Sequence, residues 1–501
     1  MFGSFLDNLK NEANYTTTEN GAKTHISTQS SVLDLFATIG ALRYATNEDI
    51  RNRFYKAYAE DPDLATKILF YARDIRGGLG ERRVFRSILK DLAEEYPSTV
   101  AKNIEYIPEF GRWDDLLCLL DGKCKRLAME YIAKQWKKDC FSHNNDDIYR
   151  ISLLAKWLPS VNTSNKETVR LAHEVIKGLG ISERNYRKSL SALRKDIKII
   201  ENNLRIKDYS FDYSKQPSRA MLKYRKAFIR NDEERYTKYL EEVAAGKKKI
   251  NTGTLYPYDI VGRCLKSRYV WRDDRLSVTE RKSLDVTWNA LPDFTDGRNA
   301  MVILDGSGSM YGNYNSDEGM KPINVAMSLA IYFAERNKGA FHNNFITFSS
   351  KPQVVQIEGN DIYEKTSYCA LYDDCSNTNL EATFILLLNT AVKNHIPQNE
   401  MPETLYIISD MEFDCCSHAD STNFQFAKKI FENEGYKLPN IVFWNVASRN
   451  TQQPVTKNEQ GVALVSGASP RIFQMVISGE TDPYEFMKSV ILTERYECIK
   501  A

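Results

Sequence analysis

Apolar positions recur at helical spacing from about residue 30 to residue 205. In DPDLATKILFYARDIR, Leu64, Ile68, Tyr71, Ala72 and Ile75 fall on one face. Asp61 suits the N-cap of that helix, Pro62 its first turn, and Gly77-Gly78 its break. A second helix runs from Glu81 through VFRSILKDLAEEY and stops at Pro97. SVLDLFATIGALRY, NEDIRNRFYKAYAE, CKRLAMEYIAKQWKKD, ISLLAKWL, KETVRLAHEVIKGLG and YRKSLSALRKDIKIIENNL read as further helices. Short helices joined by short turns, at about 30–45 residues per pair, predict a stack of HEAT-like helical hairpins.

From residue 301 the period changes to strand–helix alternation. MVIL, TLYIIS, NIVFWNV and VALVS read as buried strands, and FITF with VVQI as a hairpin around Ser349-Ser350-Lys351-Pro352. PINVAMSLAIYFAER is apolar nearly all round, as a helix covered on both sides would be. LEATFILLLNTAVKN, FQFAKKIFENEG, SPRIFQMVIS and DPYEFMKSVIL complete the helices. The expected fold class is therefore multidomain α + α/β. An α-helical repeat solenoid or ring spans 1–297, a doubly wound, mostly parallel sheet 298–478, and a C-terminal helix packs back over 479–501.

Composition divides at the same place. Net charge over 501 residues is +2, but residues 301–501 hold 15 Lys/Arg and 24 Asp/Glu, and residues 1–300 hold 53 and 42. A basic first part and an acidic second part predict different partners. Residues 182–250 are the most basic, with 19 Lys/Arg against 10 Asp/Glu and with Tyr186, Tyr209, Tyr213, Tyr224, Tyr236 and Tyr239 interleaved. That mixture suits phosphate contacts with base stacking; its bland alternative is a solvated helical face with inward-packed tyrosines. Nine cysteines without a C-x-x-C pair exclude a zinc ribbon and argue for free thiols. The start carries no signal-peptide pattern, and no apolar run reaches about 18 residues, so a cytoplasmic protein without a membrane or disulfide-linked partner is expected.

Three segments carry candidate chemistry. ARDIRGGLGERR lacks the G-K-[ST] of a P-loop, which excludes nucleotide hydrolysis there, yet Arg76, Arg82 and Arg83 around its glycines form a candidate anion-binding corner. The strand MVIL ends in Asp305-Gly306-Ser307-Gly308-Ser309, and TLYIIS ends in Asp410 at the same sheet edge. With Thr378 before the intervening helix, these supply two carboxylates and three hydroxyls, a hard oxygen shell suited to Mg²⁺ (or Mn²⁺/Ca²⁺). Cys415, Cys416 and His418 lack a fourth soft ligand at suitable spacing.

DGSGSM with Thr378 and Asp410 resembles the metal-ion-dependent adhesion site of a von Willebrand factor A domain. Helical repeats followed by an A domain resemble the TROVE module and layout of the Ro ribonucleoproteins. A closer resemblance, through ARDIRGGLGERRVFRSIL, IPEFGRWDDLL, LAKWLPS and SKQPSRAMLKYRKAF, is to an uncharacterised Ro-like family. The resemblance implies a helical ring closed by the A domain, small non-coding or misfolded RNA as partner, and Asp305, Ser307, Ser309, Thr378 and Asp410 as metal residues. The threonine loop differs, with Asn377 and Asn379 in place of the usual glycine and acid.

The expectation is a non-enzymatic RNA-binding protein whose metal site holds a carboxylate of an acidic protein partner. Charge clustering puts the RNA contacts at Arg76, Arg82, Arg83, Arg187, Lys188, Arg194 and Lys195. The alternative is a metal-dependent protein-interaction scaffold without RNA. A hydrolase would need Glu412 as its base, since no other group near the site is free of ligand duty.

Overall fold

The computed structural model describes residues 5–268, 276–295, 297, 299–312, 321–348, 351–372, 377–417, 420–475 and 481–501. Ser349 and Ser350 of the hairpin turn, Cys375 and Ser376 before the threonine, His418, and the end of the helix expected over 469–478 lie outside these residues.

The chain opens with α1 (Phe5–Ala13) and an antiparallel hairpin, β1 (Tyr15–Thr17) and β2 (Lys23–His25). Helices then follow one another: α2 (Ser31–Thr38), α3 (Asn47–Glu60), α4 (Pro62–Arg73), α5 (Arg83–Glu95), α6 (Pro97–Asn103), α7 (Ile107–Phe110) and α8 (Lys125–Asn144). After them come α9 (Leu154–Trp157), α10 (Lys166–Leu179), α11 (Glu183–Asp196), α12 (Ile200–Arg205), α13 (Ser218–Ala244), α14 (Pro257–Arg268) and α15 (Val278–Asn289). The local signals explain most of these boundaries. The Asp61 carboxylate accepts the Leu64 N–H at 2.9 Å, capping α4 with Pro62 behind it. The corner after α4 is tight, and a Cβ on Gly78 would lie 2.0 Å from the Tyr71 carbonyl oxygen, so only glycine fits.

The helix read over 186–204 is two. Lys198 takes a left-handed φ of 48° between α11 and α12 and turns the chain. ISLLAKWL keeps only the four residues of α9, and the stretch from 470 keeps a 3₁₀ turn at Pro470–Gln474. The 27-residue α13, kinked at Asp232, and the N-terminal hairpin carry no signal that periodicity alone picks out.

The sheet comprises β3 (Ala300–Asp305), β4 (Asn344–Phe348), β5 (Gln353–Gln356), β6 (Thr404–Ser409), β7 (Asn440–Asn445) and β8 (Val462–Ser466), in spatial order β5-β4-β3-β6-β7-β8. All pairs are parallel except the β4–β5 edge hairpin. α16 (Pro322–Arg336), α17 (Ile362–Cys369), α18 (Leu380–Lys393), α19 (Asn423–Asn433) and α20 (Pro483–Ile491) complete the fold. β3 and β6 are buried along their whole length, which is why they read as unbroken apolar runs. Every residue of α16 from Pro322 to Ala334 is buried, because α16 lies against β3 and β4 on one side and α14 on the other.

The helical module meets the sheet unit at both of its ends. At the start, α2 packs on β8, and Gly40 comes so close that a Cβ would lie 2.7 Å from the Ser466 carbonyl. At the other end, α14 and α15 pack on α16 and α17. There the Trp288 indole donates to Glu335 at 2.6 Å, and Arg281 pairs with Asp361 at 2.7 Å and Glu364 at 2.6 Å. One apolar core runs through both units, and a second, smaller one gathers Tyr213, Phe228, Tyr236 and Tyr239 around α13.

The C-terminal segment folds back onto the first helices. Arg495 and the Tyr496 hydroxyl converge on Asp74, whose side chain is fully buried, with Arg495 Nη2 at 2.7 Å and Tyr496 at 3.1 Å. Burial pushes the Asp74 carboxyl up, but hydrogen bonds from Arg495 and from the Arg76 and Gly77 backbone N–H groups outweigh it and hold the carboxyl below its ordinary range. Removing one partner of a buried pair leaves the other charge desolvated, at a cost of about 3 kcal/mol. Arg495→Ala should therefore lower the urea midpoint clearly. The difference should shrink as pH falls below the ordinary aspartate range, where the unfolded chain takes up the proton first. Urea melts at about pH 7 and about pH 3, below the ordinary aspartate value, check both points, and an unchanged midpoint at neutral pH would remove Asp74 from the clamp.

Candidate functional site

Two places gather chemistry. The first is the sheet edge at the strand ends. Strand order reverses between β3 and β6, since β3 connects onward to β4 on one side and β6 to β7 on the other, and such a switch point leaves a crevice at the carboxyl ends. The register pairs Leu304 with Ile408, so Asp305 and Ser409 come next along the two strands. The Ser409 hydroxyl donates to Asp305 Oδ2 at 2.5 Å, and the Ser307 N–H to Asp305 Oδ1 at 2.9 Å. The Ser307 and Ser309 hydroxyls lie 2.9 Å apart. Asp410 follows Ser409, and Met411, with φ at 68°, then turns the chain sharply. Burial and the Asp410 charge both push the Asp305 carboxyl well above the ordinary range. The structure thus brings Asp305, Ser307, Ser309 and Asp410 to one edge.

Thr378 is spent elsewhere. Its hydroxyl lies 2.8 Å from the Glu412 carbonyl and 2.9 Å from Asp414 Oδ1, and it accepts from Asn20 Nδ2 at 2.8 Å. Asn379 accounts for the changed loop, because its side chain caps α18 by accepting the Ala382 N–H at 2.9 Å. Asp410 has a partner that sequence reading missed. Arg449 Nη2 lies 3.0 Å from Asp410 Oδ2, and Arg449 Nη1 lies 2.9 Å from Glu19 Oε2. Arg449 follows β7, the next strand along, so the rule that sites form at strand ends would have pointed to it.

Glu19 belongs to the tip of the N-terminal hairpin, which docks on this edge. The Thr18 hydroxyl donates to the Phe413 carbonyl at 2.6 Å, and Asn20 Nδ2 to the Glu412 carbonyl at 2.6 Å. The Glu412 carboxylate is buried and accepts from the Glu19 N–H, Asn450 Nδ2 and Gln452 Nε2 at 2.7–2.8 Å. Fully hydrogen-bonded in this way, Glu412 is an anchor for the hairpin. Cys416 is buried, with its thiol 3.2 Å from the Ser421 carbonyl, while Cys415 is exposed.

The second place is a cleft of about 1170 Å³ beside α11, lined by Arg184, Arg187, Lys188, Arg194, Lys195 and Arg205 with no carboxylate among its lining residues. Arg184, Arg187, Lys188 and Lys195, with Ser191 between them, recur at helical spacing and share one face. Arg194 forms the floor, its three nitrogens donating to the Ala155 and Leu158 carbonyls and the Ser160 hydroxyl at 2.8–2.9 Å. Glu183 approaches Arg187 only to 4.0 Å. Arg184 and Arg205 join residues the sequence had already marked; Arg205 is reached because the turn at Lys198 folds α12 back.

The glycine corner does not share this cleft. Arg76 donates to the Glu109 carbonyl at 2.8 Å, and Arg82 pairs with Asp114 at 2.9 Å. Arg83 holds the Arg43 and Ala45 carbonyls and Asn47 Oδ1 at 2.7–2.9 Å. The tyrosines also differ from a stacking platform. Tyr186, Tyr213, Tyr236 and Tyr239 are buried, and Tyr209 and Tyr224 are half-buried, because they build the cores around α11 and α13.

Among the described residues, no disulfide joins the eight cysteines, no helix is long and apolar enough to cross a membrane, and no three His, Cys, Asp or Glu side chains converge as a metal cluster.

The fold is thus a helical module joined at both ends to a doubly wound sheet, with a paired-carboxylate switch point and a separate basic cleft. Residues 18–130 and 179–294 match one domain of unknown function, DUF2828, and residues 299–494 match another, DUF7788. The chain is 31% identical over 505 residues to the uncharacterized protein L728 of Acanthamoeba polyphaga mimivirus, covering 93% of this chain and 85% of that one. It belongs to the same family as that protein. Among solved structures it is similar to the crystal structure of the Ro (RSR) protein of Deinococcus radiodurans, at 13% identity and a TM-score of 0.43 over 93% of this chain and 99% of that one.

The docked hairpin carries a pH dependence of its own. The His25 ring stacks on Tyr15 at 4.9 Å, and its Nδ1 is buried without a hydrogen-bond partner. Burial, with a smaller push from Lys23, lowers its pKa from 6.5 to about 4. Above 6.5 both docked and undocked forms are neutral and docking keeps its full strength. As pH falls from 6.5 toward about 4, the undocked form binds the proton first and docking weakens. Hydrogen exchange of residues 15–25, corrected for intrinsic rate, should rise between about pH 7 and pH 5 in the native chain and stay flat in His25→Gln. An equal rise in both would assign the change to another group.

Proposed function

We propose that this protein binds RNA through the α11 cleft. The observation that carries this reading is a concave surface with six cationic side chains and no carboxylate lining it. Such a surface tracks a phosphate backbone, and each neutralised phosphate releases counterions, so affinity falls steeply with salt. With the tyrosines turned inward, phosphate contacts and shape would dominate over base stacking, which favours structured small non-coding or misfolded RNA over a sequence-defined strand. The helical module belongs in this reading to a Ro-like ring closed by a von Willebrand A-type sheet, supported by its contact with the sheet unit at both ends.

A structured RNA with a single-stranded 3′ tail, titrated over a salt series, tests the proposal. Replacing Arg187 and Lys188 together by Ala should weaken binding about tenfold and reduce the log–log salt slope by about 1–2. Asp305→Ala should bind as the native chain does. No binding at about 50 mM salt would overturn the reading and favour a protein-interaction scaffold.

We propose in addition that the switch-point edge holds Mg²⁺, with Mn²⁺ or Ca²⁺ as alternatives, and that the ion takes a carboxylate of an acidic protein partner. The donor set fits a hard cation. Asp305 and Asp410 are buried side by side, and the Asp410 charge adds to the cost of ionising Asp305, while Ser307 and Ser309 add hydroxyls. The ion would supply a Lewis-acidic open position for the partner's oxygen. Thr378, held by Glu412, Asp414 and Asn20, would contribute through the loop it anchors. Arg449 would compete with the ion, since it already neutralises Asp410. Calorimetry with Mn²⁺ should show binding to the native chain, loss in Asp410→Ala, and roughly tenfold tighter binding in Arg449→Gln. Equal affinity in Arg449→Gln and the native chain would leave Arg449 without that role, and no heat with either would remove the metal.

A further inference from the structure

A second concentration of positive charge lies on residues that do not line the α11 cleft. Arg73, Arg82 and Arg86 meet Asp114 and Asp115 there, Arg112 lies against Trp157 of α9, and Arg219 of α13 is near enough for its charge to act on Arg112. Arg73 and Arg86 share Asp115 at 2.6–2.8 Å, and Arg82 and Arg86 share Asp114 at 2.9 Å. Arg73 and Asp115 are buried, so this base is rigid.

The Arg112 backbone N–H donates to Asp115 Oδ2 at 2.9 Å, but its guanidinium pairs with no carboxylate among the described residues. It lies over the Trp157 ring at 4.5 Å, with Lys156 5.5 Å from the same ring. Its pKa is lowered by burial first and then by the charge of Arg73; Asp114 opposes them, and Arg82 and Arg219 add smaller pushes downward. Arg82 is lowered likewise, by burial and by Arg86. Arg219 reaches Asp259 only at 3.4 Å and is half exposed, as is Arg82.

The charges do not balance. Four guanidinium groups (Arg73, Arg82, Arg86 and Arg112) face two carboxylates (Asp114 and Asp115). An excess of two positive charges, partly buried, is costly unless an anion answers it. We propose that Arg82, Arg112 and Arg219 form a binding site for a single dianionic phosphate group. A phosphate monoester or inorganic phosphate matches the excess in charge, and its oxygens suit the fork of a guanidinium. A carboxylate or a phosphodiester carries only one charge and would leave part of the excess unanswered. The rim is open, since Arg82 and Arg219 are half exposed, while the base is fixed by the buried pairs beneath. This site stands independently of RNA binding in the α11 cleft.

The phosphate group has two sources, a free phosphate or the 5′-terminal phosphate of an RNA. Thermal melts of the full chain in sodium phosphate and in sodium chloride of equal ionic strength test for the site itself. The native chain should show a saturable, phosphate-specific rise in melting temperature. Arg112→Gln and Arg219→Gln should each raise the half-saturating phosphate concentration about tenfold, the loss of one charge-assisted contact. The two variants differ in burial, so a fold defect in Arg112→Gln leaves Arg219→Gln to decide. Arg187→Ala/Lys188→Ala should keep the rise, because its residues line the other cleft. Competition by the same short oligonucleotide with 5′-phosphate and with 5′-hydroxyl then assigns the source. Displacement by the phosphorylated form alone marks an RNA end, and displacement by neither marks a free phosphate; both fit the site. No phosphate-specific rise, a rise undiminished in both arginine variants, or a rise lost with Arg187 and Lys188 would overturn it. RNA binding can fail with the phosphate response intact, and the reverse, so the two outcomes are separable.

Discussion

Two buried carboxylates, Asp305 and Asp410, end adjacent parallel strands, and much of the sheet edge is arranged around their charge. Parallel pairing fixes their separation, because the register that stacks Leu304 against Ile408 leaves no freedom to move one strand end from the other. Like charges held close in a desolvated crevice demand either a proton or a cation. Arg449 answers Asp410, and the Ser409 hydroxyl and Ser307 N–H answer Asp305. Glu19 then answers the other half of Arg449, which makes the N-terminal hairpin part of the electrostatics of an edge whose Asp410 and Arg449 lie more than 380 residues away in sequence. Thr18, Asn20 and Glu412 fix the hairpin in place by hydrogen bonds that do not depend on that charge.

The same accounting distinguishes the two basic regions of the helical module. In the α11 cleft the cations line open solvent, where water and counterions screen them and the cost of their proximity is small. At the glycine corner the arginines are partly buried and share Asp114 and Asp115, so their excess is desolvated and localised. A screened, extended array suits a polyanion; a desolvated, compact excess suits one small anion. Sequence charge counts cannot separate these cases, because both regions contribute the same residue types to the surplus of the first three hundred positions.

What was legible in the sequence follows from range. β3, β6 and α16 are wholly buried, so their hydrophobic runs leave no alternative reading, and the carboxylates at the strand ends follow from counting along those strands. Asp61 and Pro62 mark α4 through contacts within one turn. The N-terminal hairpin escaped because its strands are three residues each, and their stability comes from Phe413, Glu412 and Gln453, not from any local pattern. The Thr378 hydroxyl meets the Glu412 carbonyl and Asp414 across a loop that begins with Met411 at positive φ, a path that no local spacing announces. Arg83 and Arg194 illustrate the same limit from the other side. Each sits in a basic run, and each is consumed by backbone carbonyls of a neighbouring segment that no spacing rule connects to it.

The two chain ends show why the molecule behaves as one body despite its division in charge and period. The first residues cross to the acidic unit and bind its strand-end loops, while the last residues cross back and bind the basic helices through Asp74. Each crossing supplies a polar partner from the other unit: among the described residues Asp74 takes its cation from Arg495, and Glu412 accepts the Glu19 N–H of the hairpin. Burying an unanswered carboxylate in either unit would cost several kcal/mol, comparable with the net stability of a whole domain. Folding of the two units is therefore linked through a few buried acids, and a ligand that changes the charge at one strand end acts on a segment that also borders the other unit.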